Sequence, residues 1–168
     1  LINGRWTDRK EEKQSNDGSF KRKDTEFRNW ITPDGSPGET GVGGFKAESD
    51  RYHLYVSLAC PWAHRTLIFR KLKNLEPHIG VSIVHPIMLE NGWEFRTDFS
   101  QCTGDQILGK NSIFEVYLAA DKNITSRASV PVLWDVKQAT IVSNESSEII
   151  RMFNFAFEKI SVNELDFY

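Results

Sequence analysis

Cys60 and Cys102 are the only thiols in the chain, and only one stands where sulfur chemistry is expected. Cys60 lies between a β-rich run, Tyr52 to Ser57, and a helical pattern that opens at Pro61. A helix N-terminus presents unsatisfied N–H groups and the positive end of the helix dipole. Both favour thiolate over thiol, and the thiolate is the nucleophile. The same position also suits a small buried residue that merely caps a core helix. Cys102 sits in a polar loop with no helix terminus to activate it, so it is not expected to serve. The motif continues Cys60-Pro61-Trp62-Ala63, which puts Ala63 where a dithiol oxidoreductase keeps its resolving thiol. A mixed disulfide on Cys60 must therefore be released by a thiol from outside the chain.

Glutathione is the abundant cytosolic thiol, and two further features suit it. Val130-Pro131 opens a strand, which predicts a cis peptide bond. The backbone of Val130 could then pair with an extended peptide, as in strand addition. Glu145-Ser146 stands at the start of the last helical pattern, where N–H groups and a hydroxyl could hold a carboxylate and Glu145 an amine. Alone, Asn144-Glu145-Ser146 reads equally well as a plain helix cap.

The elements that must position these residues are legible from Asp50 onward. Strands are expected at Tyr52–Ser57, Ile79–Val84, Val130–Trp134 and Thr140–Val142. Between the first two lies a helix from Pro61 to Leu75, with Leu67, Ile68, Leu72 and Leu75 at helical spacing among Arg65, Arg70, Lys71 and Lys73. Ser112-Ile113-Phe114-Glu115 is a capping-box pattern for a helix running to about Ala120. Asp135–Ala139 is a short polar turn. The last helix follows Ser143-Asn144, with Ile149, Ile150, Met152 and Phe153 on its inner face. A helix between two strands implies a parallel pair, and a short turn an antiparallel one. The expected fold is therefore α/β, a four-stranded mixed sheet flanked by helices in the thioredoxin arrangement.

Residues 1–50 are expected to form an arm pinned by Phe20, Phe27 and Trp30, followed by a domain over 51–160 and a tail at 161–168. Pro33, Gly35, Pro37, Gly38, Gly41, Gly43 and Gly44 are loop chemistry. No strand precedes them and no Gly-Lys-Ser/Thr follows, so they are not read as a phosphate cradle.

Composition closes off other classes. With 39% hydrophobic and 26% charged residues the mixture is globular. Twenty-one basic residues against 23 acidic ones, a formal charge of −2, give no reason to expect nucleic acid or an anionic membrane as partner. No apolar run approaches the roughly 18 residues of a membrane span. Leu1 to Trp6 lack the layout of a secretory signal, so a reduced, cytoplasmic setting is expected. No metal is expected.

Residues 52–66, from Tyr52 through Cys60-Pro61-Trp62-Ala63-His64-Arg65-Thr66, closely resemble the active-site segment of the glutathionyl-hydroquinone reductases, the xi class of glutathione transferases. So do Glu90-Asn91-Gly92-Trp93, Val130–Trp134, Ser143–Ser146 with Glu148–Asn154, and, in the arm, Phe27–Trp30 and Gly41–Gly44. The resemblance implies that Cys60 is the nucleophile and that Trp93, Arg127, Val130, Glu145 and Ser146 hold glutathione. Arg127 would pair with its glycyl carboxylate and Trp93 would cover its backbone. Without the family pattern these two read as a solvated charge and a loop aromatic.

Members of that family continue into an all-helical domain, and this chain stops at Tyr168, where that domain would begin; it is read as absent. Three functions follow as alternatives: reduction of glutathionylated small molecules, a largely non-catalytic glutathione-binding or oligomerising remnant, and a glutaredoxin-like deglutathionylase. Exposure of Phe153, Phe155, Phe157, Ile160 and Phe167 near the end is expected to drive self-association as a homo-oligomer.

Overall fold

The computed structural model describes residues 1–7, 25–163 and 165–167. Phe20 lies outside the described residues. The elements run in the order β1 (Tyr52–Val56), α1 (Pro61–Leu72), β2 (Ile79–Ile83), α2 (Ile113–Ala120), β3 (Val132–Asp135), β4 (Thr140–Ser143), α3 (Ser146–Phe155) and α4 (Glu158–Ser161). The sheet order is β2-β1-β3-β4. β1 pairs parallel with β2, and β3 pairs antiparallel with both β1 and β4. This is the mixed, thioredoxin-like sheet the sequence predicts.

β1 is buried along its length, with Leu54, Tyr55 and Val56 fully inaccessible, as a central strand covered on both faces must be. α1 and α3 pack on each other; α1 buries Ala63 and Thr66, and α3 buries Ile149, Met152 and Phe153. In α2, Glu115 accepts the N–H groups of Asn111 at 2.8 Å and Ser112 at 3.0 Å, satisfying donors that a helix start leaves open.

Three boundaries differ from the sequence expectation. β3 begins at Val132, because Pro131 has no N–H to give the ladder. α1 stops at Leu72, where Lys73 caps it and Asn74 turns to a φ of +54°. The last helix is broken at Ala156 and Phe157 into α3 and α4. The break is filled by Phe157, whose ring meets Phe153 at 6.3 Å and Tyr52 at 6.1 Å. Phe153 and Phe157 are therefore fully buried core and leave the expected sticky surface, in which Phe155 and Phe167 are exposed.

The described part of the arm is tightly joined to the body. Asn29 donates its N–H to the Val142 carbonyl at 2.9 Å and Asn144 to that of Phe27 at 3.2 Å, so residues 27–29 cover the free edge of β4. Trp30, Ile31, Phe45 and Ala47 enter the core. Gly41, with a φ of +75°, passes so close to Asn29 that a Cβ would lie 2.3 Å from its Oδ1. Arg28 forms an ion pair with Glu148 of α3. Arg51, buried, bonds Asp135 of β3 through Nε and Nη2, and also Glu48 and the Gly44 carbonyl. At the other end, the fully buried Lys73 donates to the carbonyls of Asn163 at 3.1 Å and Leu165 at 2.6 Å, holding the tail against the end of α1.

Candidate active site

The turn from β1 into α1 is built on Ser57, whose buried hydroxyl accepts the Ala59 N–H at 3.3 Å and whose carbonyl accepts that of Cys60 at 3.1 Å. Cys60 is thereby held in extended backbone, φ −98° and ψ 114°, as the N-cap of α1, with Pro61 in the first turn. Its side chain makes no cap bond and is half-buried. The Cys60 thiol instead points at the Val130 carbonyl, Sγ to O 3.5 Å. The Val130–Pro131 bond is cis, and Val130 is buried. Two segments separated by 70 residues thus meet at the sulfur.

The segment before Val130 is anchored by Tyr117 of α2. Its fully buried hydroxyl donates to the Ser129 carbonyl at 3.1 Å and accepts from the Ser129 N–H at 3.3 Å and from Asn144 Nδ2 at 2.9 Å. Asn144 in turn accepts the Phe27 N–H at 3.3 Å. Burial raises the Tyr117 pKa, so the phenol stays an O–H donor. One hydroxyl therefore joins the loop that carries Val130 to the loop that leads into α3.

At the start of α3, Glu145 is the N-cap and accepts from Ser147 N–H at 3.2 Å and Ser147 Oγ at 3.0 Å. Ser146 is buried and takes two hydrogen bonds from Arg65 of α1, from Nε at 3.0 Å and Nη2 at 2.5 Å. The guanidinium lies 3.7 Å from Glu145 Oε1 and over the exposed ring of Trp62 at 5.1 Å.

Of the residues singled out from sequence, Cys60 and Val130 are in direct contact, and Glu145 and Ser146 are joined to the Cys60 helix through Arg65. Trp93 is half-buried against the core, its carbonyl accepting the Ile113 N–H at 2.9 Å. Arg127 is exposed three residues before Val130. No hydrogen bond links either to Cys60 among the described residues. Cys102 is held apart, its N–H on the Phe99 carbonyl, and burial followed by the Asp98 charge raises its pKa. Among the described residues there is no group of three His, Cys, Asp or Glu side chains placed to hold a metal, and no helix long and apolar enough to cross a membrane.

Sequence reasoning passed over Tyr117, Arg65 and Trp6. Trp6 stacks on Phe114 at 4.7 Å and donates Nε1–H to the Glu90 carbonyl, steadying the segment that leads to Trp93. Only Arg65 left a signal, a basic residue little more than one turn after the cysteine.

A family model for the glutathione S-transferase N-terminal domain matches residues 59–154. Over all 168 residues the chain is 58% identical to the glutathionyl-hydroquinone reductase YqjG of Escherichia coli K12, of which it covers 51%. The glutathione-bound structure of that protein has a TM-score of 0.83 at 57% identity, over 95% of this chain and 46% of that one. An xi-class glutathione transferase from Natrialba magadii has a TM-score of 0.88 at 45% identity, over 100% of this chain and 50% of that one. The chain spans about half the length of the curated relatives it matches.

Proposed function

Because the chain belongs to the glutathione S-transferase N-terminal domain family, and matches glutathionyl-hydroquinone reductases along its whole length, we propose that it carries out glutathione-dependent thiol exchange at Cys60. The Cys60 thiolate attacks the sulfur of a glutathionylated small molecule such as a glutathionyl-hydroquinone. The carbon–sulfur bond breaks, its electron pair stays on the ring carbon, and that carbon takes a proton. Cys60 is left in a mixed disulfide with glutathione. A second glutathione thiolate attacks the glutathione sulfur, the Cys60 thiolate leaves, and glutathione disulfide departs. Two half-reactions through a covalent enzyme form predict ping-pong kinetics.

In this proposal the Val130 backbone pairs with the cysteinyl part of glutathione, and Glu145 and Ser146 hold its γ-glutamyl end. Arg127 meets the glycyl carboxylate, and Trp93 covers the peptide. The observation that carries the reading is the uncapped Cys60 thiol at the start of α1, facing the Val130 carbonyl. Intact-mass spectrometry after incubation with oxidised glutathione tests it. One adduct on the parent and on Cys102→Ser, and none on Cys60→Ser at neutral pH, is the expected pattern. An adduct of unchanged yield on Cys60→Ser sinks it.

Deglutathionylation of small disulfides is a second reading, favoured because Cys60, Val130 and the Glu145–Ser146 pair all lie within this chain. It predicts turnover of a glutathione–cysteine mixed disulfide without any turnover of glutathionyl-hydroquinones. Self-association belongs to the same proposal, through Phe155, Leu165 and Phe167, whose side chains are exposed. Light scattering that finds only monomer at high concentration removes it.

A further inference from the structure

Ser146 has an unusual hydrogen-bond balance. A hydroxyl carries one proton and two acceptor sites. Arg65 aims two N–H groups at one side of its oxygen, from Nε at 3.0 Å and Nη2 at 2.5 Å. The hydroxyl proton must therefore turn away from the guanidinium, and among the described residues no acceptor takes it. The residue is only 4% exposed, and a buried donor without a partner is costly. An O–H whose oxygen faces a guanidinium is also polarised, and so is a better donor to an anion.

Beside it the charges are arranged as a pair. Ser146 is the first residue of α3, where backbone N–H groups and the helix dipole also favour an anion. Glu145 is held in place by Ser147, with one oxygen 3.7 Å from Arg65. A carboxylate thus stands next to a donor group backed by positive charge. That is the complement of an α-amino acid end, whose ammonium and carboxylate share one carbon. We propose that Arg65 is a positioning residue that sets the Ser146 hydroxyl as a donor and makes this spot select the α-carboxylate of the γ-glutamyl group. This rests on the glutathione reading above and deepens it.

Arginine is required by the geometry. Two N–H groups of one planar fork converge on a single oxygen while the same plane lies over Trp62 at 5.1 Å. A lysine carries the charge but not the fork.

Calorimetric titration of the Cys60→Ser protein with two ligands tests the proposal. One is glutathione; the other is its analogue with 4-aminobutyryl in place of γ-glutamyl, which keeps the amine and lacks the α-carboxylate. The Arg65-competent protein should prefer glutathione by about tenfold or more, the range of a charge-assisted hydrogen bond. Adding Arg65→Gln should bring the ratio to within about twofold, and Arg65→Lys to an intermediate value, since the charge stays while the two-point contact goes. A merely structural role for Arg65 weakens both ligands alike and keeps the ratio, and that result overturns the proposal. Failure of the Arg65-competent protein to bind either ligand overturns the glutathione reading and this inference together. If Arg65→Gln does not fold, Arg65→Lys on the same ratio decides: an unchanged preference refutes the assignment, a reduced one supports it.

Discussion

Replacing Tyr117 by Phe removes one oxygen and nothing else, at a site with no water access. Three partners lose it: the Ser129 carbonyl, the Ser129 N–H and the Asn144 side-chain amide, at 3.1, 3.3 and 2.9 Å. The Ser129 hydroxyl, 3.3 Å from the phenol oxygen, can turn to serve one of them. Two groups are then left without a partner, at about 1–3 kcal/mol each, so a loss of about 2–6 kcal/mol of stability is expected. At ~2–4 °C per kcal/mol for a chain of this size, the melting temperature should fall by roughly 4–24 °C. The freed loop carries Val130, so glutathione affinity should drop severalfold as the Cys60–Val130 approach loosens. Urea unfolding followed by circular dichroism gives the first quantity, and calorimetric titration the second. A variant within about 0.5 kcal/mol of its parent and with unchanged affinity would show that the hydroxyl does not fix this loop, and the reasoning fails.

Two further outcomes are expected. His53 is buried against Ser82, and burial pushes its pKa from 6.5 down to about 4. The unfolded chain takes up its proton below pH 6.5 while the folded one resists to about 4, so the His53 contribution is whole above 6.5 and is lost as pH falls through that window. The full swing is about 3 kcal/mol, and His53→Gln should flatten the stability–pH curve there; equal slopes in parent and variant refute it. Asp135→Ala strips the buried Arg51 guanidinium of its main partner, a loss of about 3–5 kcal/mol by urea unfolding, and a loss below about 1 kcal/mol would mean that Glu48 and the Gly44 carbonyl suffice.

The parts of the site that follow from local sequence were readable. Cys60 ahead of Pro61, the cis bond at Pro131 and the Ser112–Glu115 helix start each need only a few adjacent residues. The order of strands and helices followed from periodicity and connection length. Polar partnerships across the fold left no such trace. Tyr117 looks like any aromatic on an apolar helix, and Lys73 like any surface lysine, until tertiary packing places Asn144 beside one and the Asn163 and Leu165 carbonyls beside the other. Phe153 and Phe157 are the reverse case. They stand one turn apart on the face of Ile149, and that spacing already marks them as core rather than surface.

The way the arm is fastened also governs the order in which the molecule is completed. Arg28 reaches Glu148 across 120 residues, and the Ile31 N–H reaches Met152 Sδ across 121. Contacts so distant along the chain are slow to form, because their closure entropy is met only once most of the fold exists. The arm, made before α3, is thus the last part to find its place, waiting until α3 emerges. Cys60 and its helix can be in position well before then, while the start of α3 is braced by the arm only at the end. Pulsed hydrogen exchange during refolding should show the Asn29 and Ile31 amides gaining protection after those of β1 and β2, and simultaneous protection would disprove that order. A cysteine turn that matures before the start of α3 is fully braced is the kinetic consequence of fastening the arm to a helix 120 residues further on.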